Sequence, residues 1–84
     1  MFKLQPSKAF EKSLKKMSGL EQKTIAGKLM ILAENPYHPS LRTKKIKSLK
    51  NVFESSVNMD IRILWMHEGD RIILLIDIGH HDIL

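Results

Sequence analysis

The chain contains no cysteine. Disulfides, thiolate nucleophiles and cysteine-ligated zinc are therefore excluded, and packing must hold the fold together. Long apolar runs are also missing. The run Ile72 to Ile76 ends at Asp77, far short of the ~18 residues of a membrane-spanning helix. The opening MFKLQPSKAF has no apolar stretch of the kind a secretory leader needs. The expectation is a cytoplasmic protein with no membrane partner. Aromatic residues are scarce, with one Trp, one Tyr and three Phe, so base stacking has few side chains to draw on. No P-loop, dinucleotide fingerprint, HExxH or GxSxG motif occurs, and no cofactor is expected.

Negative charge is the remaining shortage. Nine Asp and Glu face fourteen Lys and Arg, a formal net charge of +5. In a small domain such an excess favours a polyanion or an acidic protein as partner, although a solvated surface with a modest basic surplus explains it equally. At 84 residues the whole chain, 1–84, reads as one domain with one core.

Spacing predicts the elements. Phe2 and Leu4 alternate with polar residues in a short strand that Pro6 stops. Phe10, Leu14 and Met17 form an apolar helical stripe with lysines on the other faces. Ser18-Gly19-Leu20-Glu21 reads as a capping box opening a second helix. That helix presents Ile25, Leu29, Leu32 and Ala33, and Asn35-Pro36 ends it. After a loop to Leu41 come four expected strands: Thr43 to Leu49, Val52 to Val57, Ile61 to Met66 and Arg71 to Ile78. The order βααββββ implies an α+β fold with a helix hairpin on one face of an antiparallel sheet.

Strand parity separates the sheet faces. Ile61, Ile63 and Trp65 are expected to share the core face with Phe53 and Val57, and with Ile72, Leu74, Ile76 and Ile78. The other face then carries Glu54, Ser56, Arg62, Leu64, Met66, Ile73, Leu75 and Asp77, joined by His81 if the last strand continues past Gly79. Arg62 and His81 would look into one concavity, with His80 pointing away. Arg62 could instead simply pair with Asp77 or Glu54 across strands.

Arg42, Lys44, Lys45, Lys47 and Lys50 form a basic cluster. On a strand, Lys45 and Lys47 share a face and can hold successive phosphates; a solvated edge strand is the plain alternative. Of the four histidines, His67 is expected exposed in a hairpin turn, and His38 sits in a loop before Pro39. His80-His81-Asp82 suggests metal binding only superficially, because neighbours on a strand point apart. No metal site is expected.

His38-Pro39-Ser40-Leu41 is similar to the His-Pro-Leu or Glu-Pro-Leu loop of several ribonucleases of the RelE/ParE toxin family. Phe53-Glu54-Ser55-Ser56-Val57 followed by Met59-Asp60-Ile61-Arg62-Ile63-Leu64-Trp65 resembles that family's strand, turn and Asp-Tyr-Arg-Leu-Ile-Tyr strand. Ile78-Gly79-His80-His81-Asp82 resembles its C-terminal Gly-x-His segment. The resemblance covers nearly the whole chain. It implies a RelE-like fold and the toxin of a type II toxin–antitoxin system, which cuts messenger RNA in the ribosomal A site without metal. His38 would then take the 2′-hydroxyl proton, Arg62 neutralise charge on the scissile phosphate, and His81 protonate the leaving oxygen. Arg42, Lys44, Lys45, Lys47 and Lys50 would hold RNA. The implied partners are a cognate antitoxin, ribosome-bound messenger and, only through the antitoxin, operator DNA. The sequence departs from the pattern in three places. It ends Asp82-Ile83-Leu84 where many active members have a terminal Tyr or Phe, inserts Ser40, and has Asn51 where glycine is frequent. A catalytically inactive homologue acting as an antitoxin-binding module, or a ParE-type gyrase inhibitor, are the alternatives.

Overall fold

The computed structural model describes residues 1–80. Its order is β1 (Lys3–Pro6), α1 (Lys8–Lys15), α2 (Gly19–Glu34), a 3-10 turn (Pro39–Leu41), β2 (Lys44–Lys45), β3 (Phe53–Ser56), β4 (Ile61–Glu68) and β5 (Ile72–His80). One five-stranded sheet has the spatial order β1-β5-β4-β3-β2. The four consecutive strands pair antiparallel, while β1 lies parallel to β5 at one edge and makes the sheet mixed. Pro6, expected to stop the first strand, is itself the last residue of β1; at a sheet edge its missing N–H removes no ladder bond.

Both helices start on serine caps. The Ser7 hydroxyl accepts from the Phe10 N–H at 3.0 Å. At Ser18 the full capping box forms: the Ser18 hydroxyl accepts from the Glu21 N–H at 3.1 Å and the Glu21 carboxylate accepts from the Ser18 N–H at 2.8 Å. That second bond, aided by the Ser18 hydroxyl and by nearby His80, holds the Glu21 carboxyl below its usual pKa. Phe10, Met17, Ile25 and Leu32 meet Ile61, Ile63, Trp65, Ile73, Leu75 and Ile78 in one core.

Two expectations are corrected by a β-bulge. Leu64 pairs with Asp77, but the next pair is Trp65 with Leu75, so Ile76 has no partner on β4. One additional residue reverses parity beyond it. Ile73 and Leu75 therefore enter the core and are buried, whereas Ile72, Leu74 and Ile76 are only half-buried. The bulge is fastened to the helix layer, because the Ser7 hydroxyl donates to the Ile76 carbonyl at 2.7 Å.

The lysine strand is also shorter than expected. β2 is two residues long, and the chain turns through 47–51, with Asn51 at φ 62°. Asparagine tolerates this left-handed conformation, which otherwise favours glycine. His67, expected in a turn, lies within β4 opposite Ile73. Its ring is surrounded by Phe2, Tyr37, Phe53 and Trp65, and its Nε2 is 2.9 Å from the Tyr37 hydroxyl.

Candidate functional site

Two short segments bring cations together at one end of the sheet. The first is the loop between α2 and β2. Its 3-10 turn begins at His38, whose Nδ1 accepts from the Ser40 N–H at 3.1 Å and lies 2.9 Å from the Ser40 hydroxyl. The turn ends at Arg42, held at φ 49°. A left-handed arginine costs roughly 1–2 kcal/mol, so its neighbours must enforce it. Leu41 is fully buried on one side. On the other, the Thr43 hydroxyl donates to the Pro36 carbonyl and lies 2.7 Å from the Ser55 hydroxyl. Ser55 in turn accepts from the Trp65 indole N–H at 2.8 Å. A buried polar chain thus ties both ends of the loop to the core.

The second segment is the turn between β3 and β4. The Asn58 side chain accepts from the N–H groups of Asp60 and Ile61, each at 2.8 Å, which closes the turn. The Arg62 guanidinium then folds back and donates to the Asn58 carbonyl at 2.6 Å. The expected alternative for Arg62, a cross-strand ion pair, does not form. Asp77 accepts from the Ser13 hydroxyl at 2.7 Å and from the Ile78 N–H at 2.8 Å. Glu54 pairs with Lys44 at 3.4 Å.

Between these segments lies an open cleft of about 340 Å³ lined by Lys28, Ser40, Arg42, Ser56, Val57, Asn58, Met59 and Arg62. Three of these side chains are cationic and none is a carboxylate. Like charges gathered without a counter-charge are relieved by a bound anion, so the cleft is suited to a phosphoryl group. Arginine offers a planar fork to its oxygens and lysine a point charge.

The candidate residues are not all brought together. Arg62 and Arg42 share the cleft, and His38 contacts it only through Ser40. Because the His38 Nδ1 accepts a backbone N–H, a neutral ring carries its proton on Nε2. Lys44 is committed to Glu54. Lys45, Lys47 and Lys50 line a separate hollow of about 580 Å³ around the 47–51 turn. His81 lies outside the described residues. His80 falls on the helix side as expected, with Nε2 3.5 Å from both Glu21 and Asp60 carboxylates. Lys28 was not foreseen. It stands three residues after Ile25 and four before Leu32, at the border of the buried stripe. That position becomes meaningful only once the 3-10 turn is known to return beside α2. No described helix is long and apolar enough to cross a membrane.

A basic α+β domain with a cation-lined cleft at one end of its sheet is therefore the class this structure defines, and its fold is that of the RelE/ParE toxins. The chain is 23% identical to a copper-bound mutant toxin from Helicobacter pylori, with TM-score 0.82 over 100% of this chain and 99% of that one. It is 13% identical to a chain of the archaeal RelE–RelB complex from Pyrococcus horikoshii, with TM-score 0.79 over 99% and 98%. A chain of the Escherichia coli RelBE toxin–antitoxin complex is 14% identical, with TM-score 0.75 over 94% and 95%. No protein-family model and no curated protein matches the sequence.

Proposed function

We propose that this domain is the toxin of a type II toxin–antitoxin system and inhibits translation by cutting messenger RNA on the ribosome. The observation that carries the reading is the convergence of Lys28, Arg42 and Arg62 on one cleft with no carboxylate among its described lining residues, in a domain with the fold of toxins seen in toxin–antitoxin complexes. In this reaction the messenger's 2′-oxygen bonds to the adjacent phosphorus, and the bond from phosphorus to the leaving 5′-oxygen breaks. Arg62 stabilises the charge that builds on the phosphoryl oxygens; its backbone-bound guanidinium has no competing carboxylate among the described residues. His38 takes the 2′-hydroxyl proton once its Nδ1 releases the Ser40 N–H. His81 gives a proton to the leaving oxygen. Lys45, Lys47 and Lys50 hold flanking backbone. A cognate antitoxin with an acidic or amphipathic helix covers the basic surface when the toxin is silent.

The test is cleavage of a messenger on programmed ribosomes, in chelator, by the wild type and His81→Ala. Cuts within the A-site codon by the wild type alone are expected. A folded, antitoxin-free protein that makes no cuts favours a second reading, an antitoxin-binding module that has lost catalysis. Two observations support that reading: the His38 ring is turned onto its own loop, and no aromatic residue lines the cleft among the described residues.

A further inference from the structure

We infer that Lys28 of α2 is a phosphate-binding residue, and that with Arg42 and Arg62 it forms a subsite for one backbone phosphate of a single-stranded polynucleotide. The inference deepens the RNA-directed reading above and rests on it for the identity of the polymer. Lys28 is half-buried beside the apolar stripe of its helix, so its stem is packed while its ammonium reaches the cleft wall. Its Nζ donates to the Ser40 carbonyl at the long distance of 3.5 Å. A lysine with one weak, neutral partner and no carboxylate among the described residues keeps its charge available.

The three cations reach the cleft from three independent elements. Lys28 comes from α2, Arg42 from the end of the 3-10 turn and Arg62 from β4. Ser40, Ser56 and Asn58 supply neutral polar groups between them. Cations supplied by three elements can each take a different oxygen of one tetrahedral anion. A second basic surface beside the cleft favours a polymer over a free anion. From Arg42 the backbone runs directly into the hollow lined by Lys45, Lys47 and Lys50, a basic path longer than one phosphate requires.

The test measures binding, so it does not depend on ribosomes or cleavage. A fluorescein-labelled 2′-O-methyl RNA oligonucleotide, which lacks the nucleophilic hydroxyl, is titrated by anisotropy at several salt concentrations. The proteins are wild type, Lys28→Gln, Lys28→Arg and Lys23→Gln. Lys23 is exposed on the same helix and outside the cleft, so its variant removes the same charge elsewhere. Lys28→Gln should lose roughly fivefold in affinity and flatten the log–log salt slope by about 0.7, the signature of one lost single-strand phosphate contact. Lys28→Arg should bind like the wild type, and Lys23→Gln should lose markedly less. Equal losses in the Lys28→Gln and Lys23→Gln proteins would overturn the assignment, because only net charge would matter. Inorganic phosphate is added as a competitor in a second arm. Displacement that weakens in Lys28→Gln supports a phosphoryl subsite. Phosphate binding without oligonucleotide binding would assign the cleft to a free anion and overturn the polymer. Because the probe cannot be cleaved, an inactive toxin that binds it in this way would leave the Lys28 subsite standing while the catalytic reading falls.

Discussion

The indole N–H of Trp65 donates to the Ser55 hydroxyl at 2.8 Å, and both residues are fully buried. Ser55 passes the interaction to Thr43, and Thr43 to the Pro36 carbonyl. One core hydrogen bond thereby sets the loop that carries His38, Ser40 and Arg42. Ser55→Ala leaves a buried indole donor without its acceptor and should cost about 1–3 kcal/mol in chemical denaturation. It should also speed amide exchange across 36–43. Loss of stability without faster exchange there would separate the core from the loop.

The bulge at Ile76 depends on Ser7, which caps α1 and donates to the Ile76 carbonyl. Ser7→Ala removes both roles and should lower stability by about 1–2 kcal/mol, near the upper end for a helix cap. Ser18→Ala, which removes a cap that bonds only locally, should cost less.

Arg42 holds a left-handed conformation that glycine adopts freely. Arg42→Gly should therefore leave stability within about 0.5 kcal/mol of wild type while weakening oligonucleotide binding. Such a separation marks a residue kept for its charge. A variant that unfolds would show that the Arg42 side chain is structural.

Glu21 gives a pH dependence whose sign is fixed by its lowered carboxyl pKa. A group with a depressed folded pKa adds stability above its unfolded value, near 4.5, and loses it as pH falls through the lower folded value. The stability gap between wild type and Glu21→Gln should be full above pH 4.5 and close on acidification below it. A gap that widens on acidification would contradict the capping-box assignment.

The sequence revealed what depends on local spacing. The capping box at Ser18, the helix stop at Asn35-Pro36, and the shared core face of Ile61, Ile63 and Trp65 all arise from neighbours in the chain. The bulge did not show, because Ile72 to Ile76 is apolar at every position and has no alternation to mark where parity reverses. The pairing of β1 with β5, across about seventy residues of chain, and the approach of Lys28 to the Arg42 loop are tertiary relations. Arg42 was legible as basic, but its left-handed backbone was not, since arginine carries no signal for that conformation. The ring cluster around His67 was hidden for a related reason: the hairpin turn came later in the chain than expected, so His67 fell inside β4.

Arg62 carries the central claim of the proposed mechanism. Its guanidinium rests on backbone carbonyls in the cleft rather than on a carboxylate, and it is assigned the charge that develops on the scissile phosphate. The decisive measurement is cleavage of ribosome-bound messenger by wild type and Arg62→Ala, with both proteins shown to be folded by near-ultraviolet circular dichroism. The mechanism predicts A-site cuts by the wild type and a loss of about 10²–10³-fold in the variant, the usual effect of removing one charge-stabilising donor. Equal cleavage by the two folded proteins would contradict it.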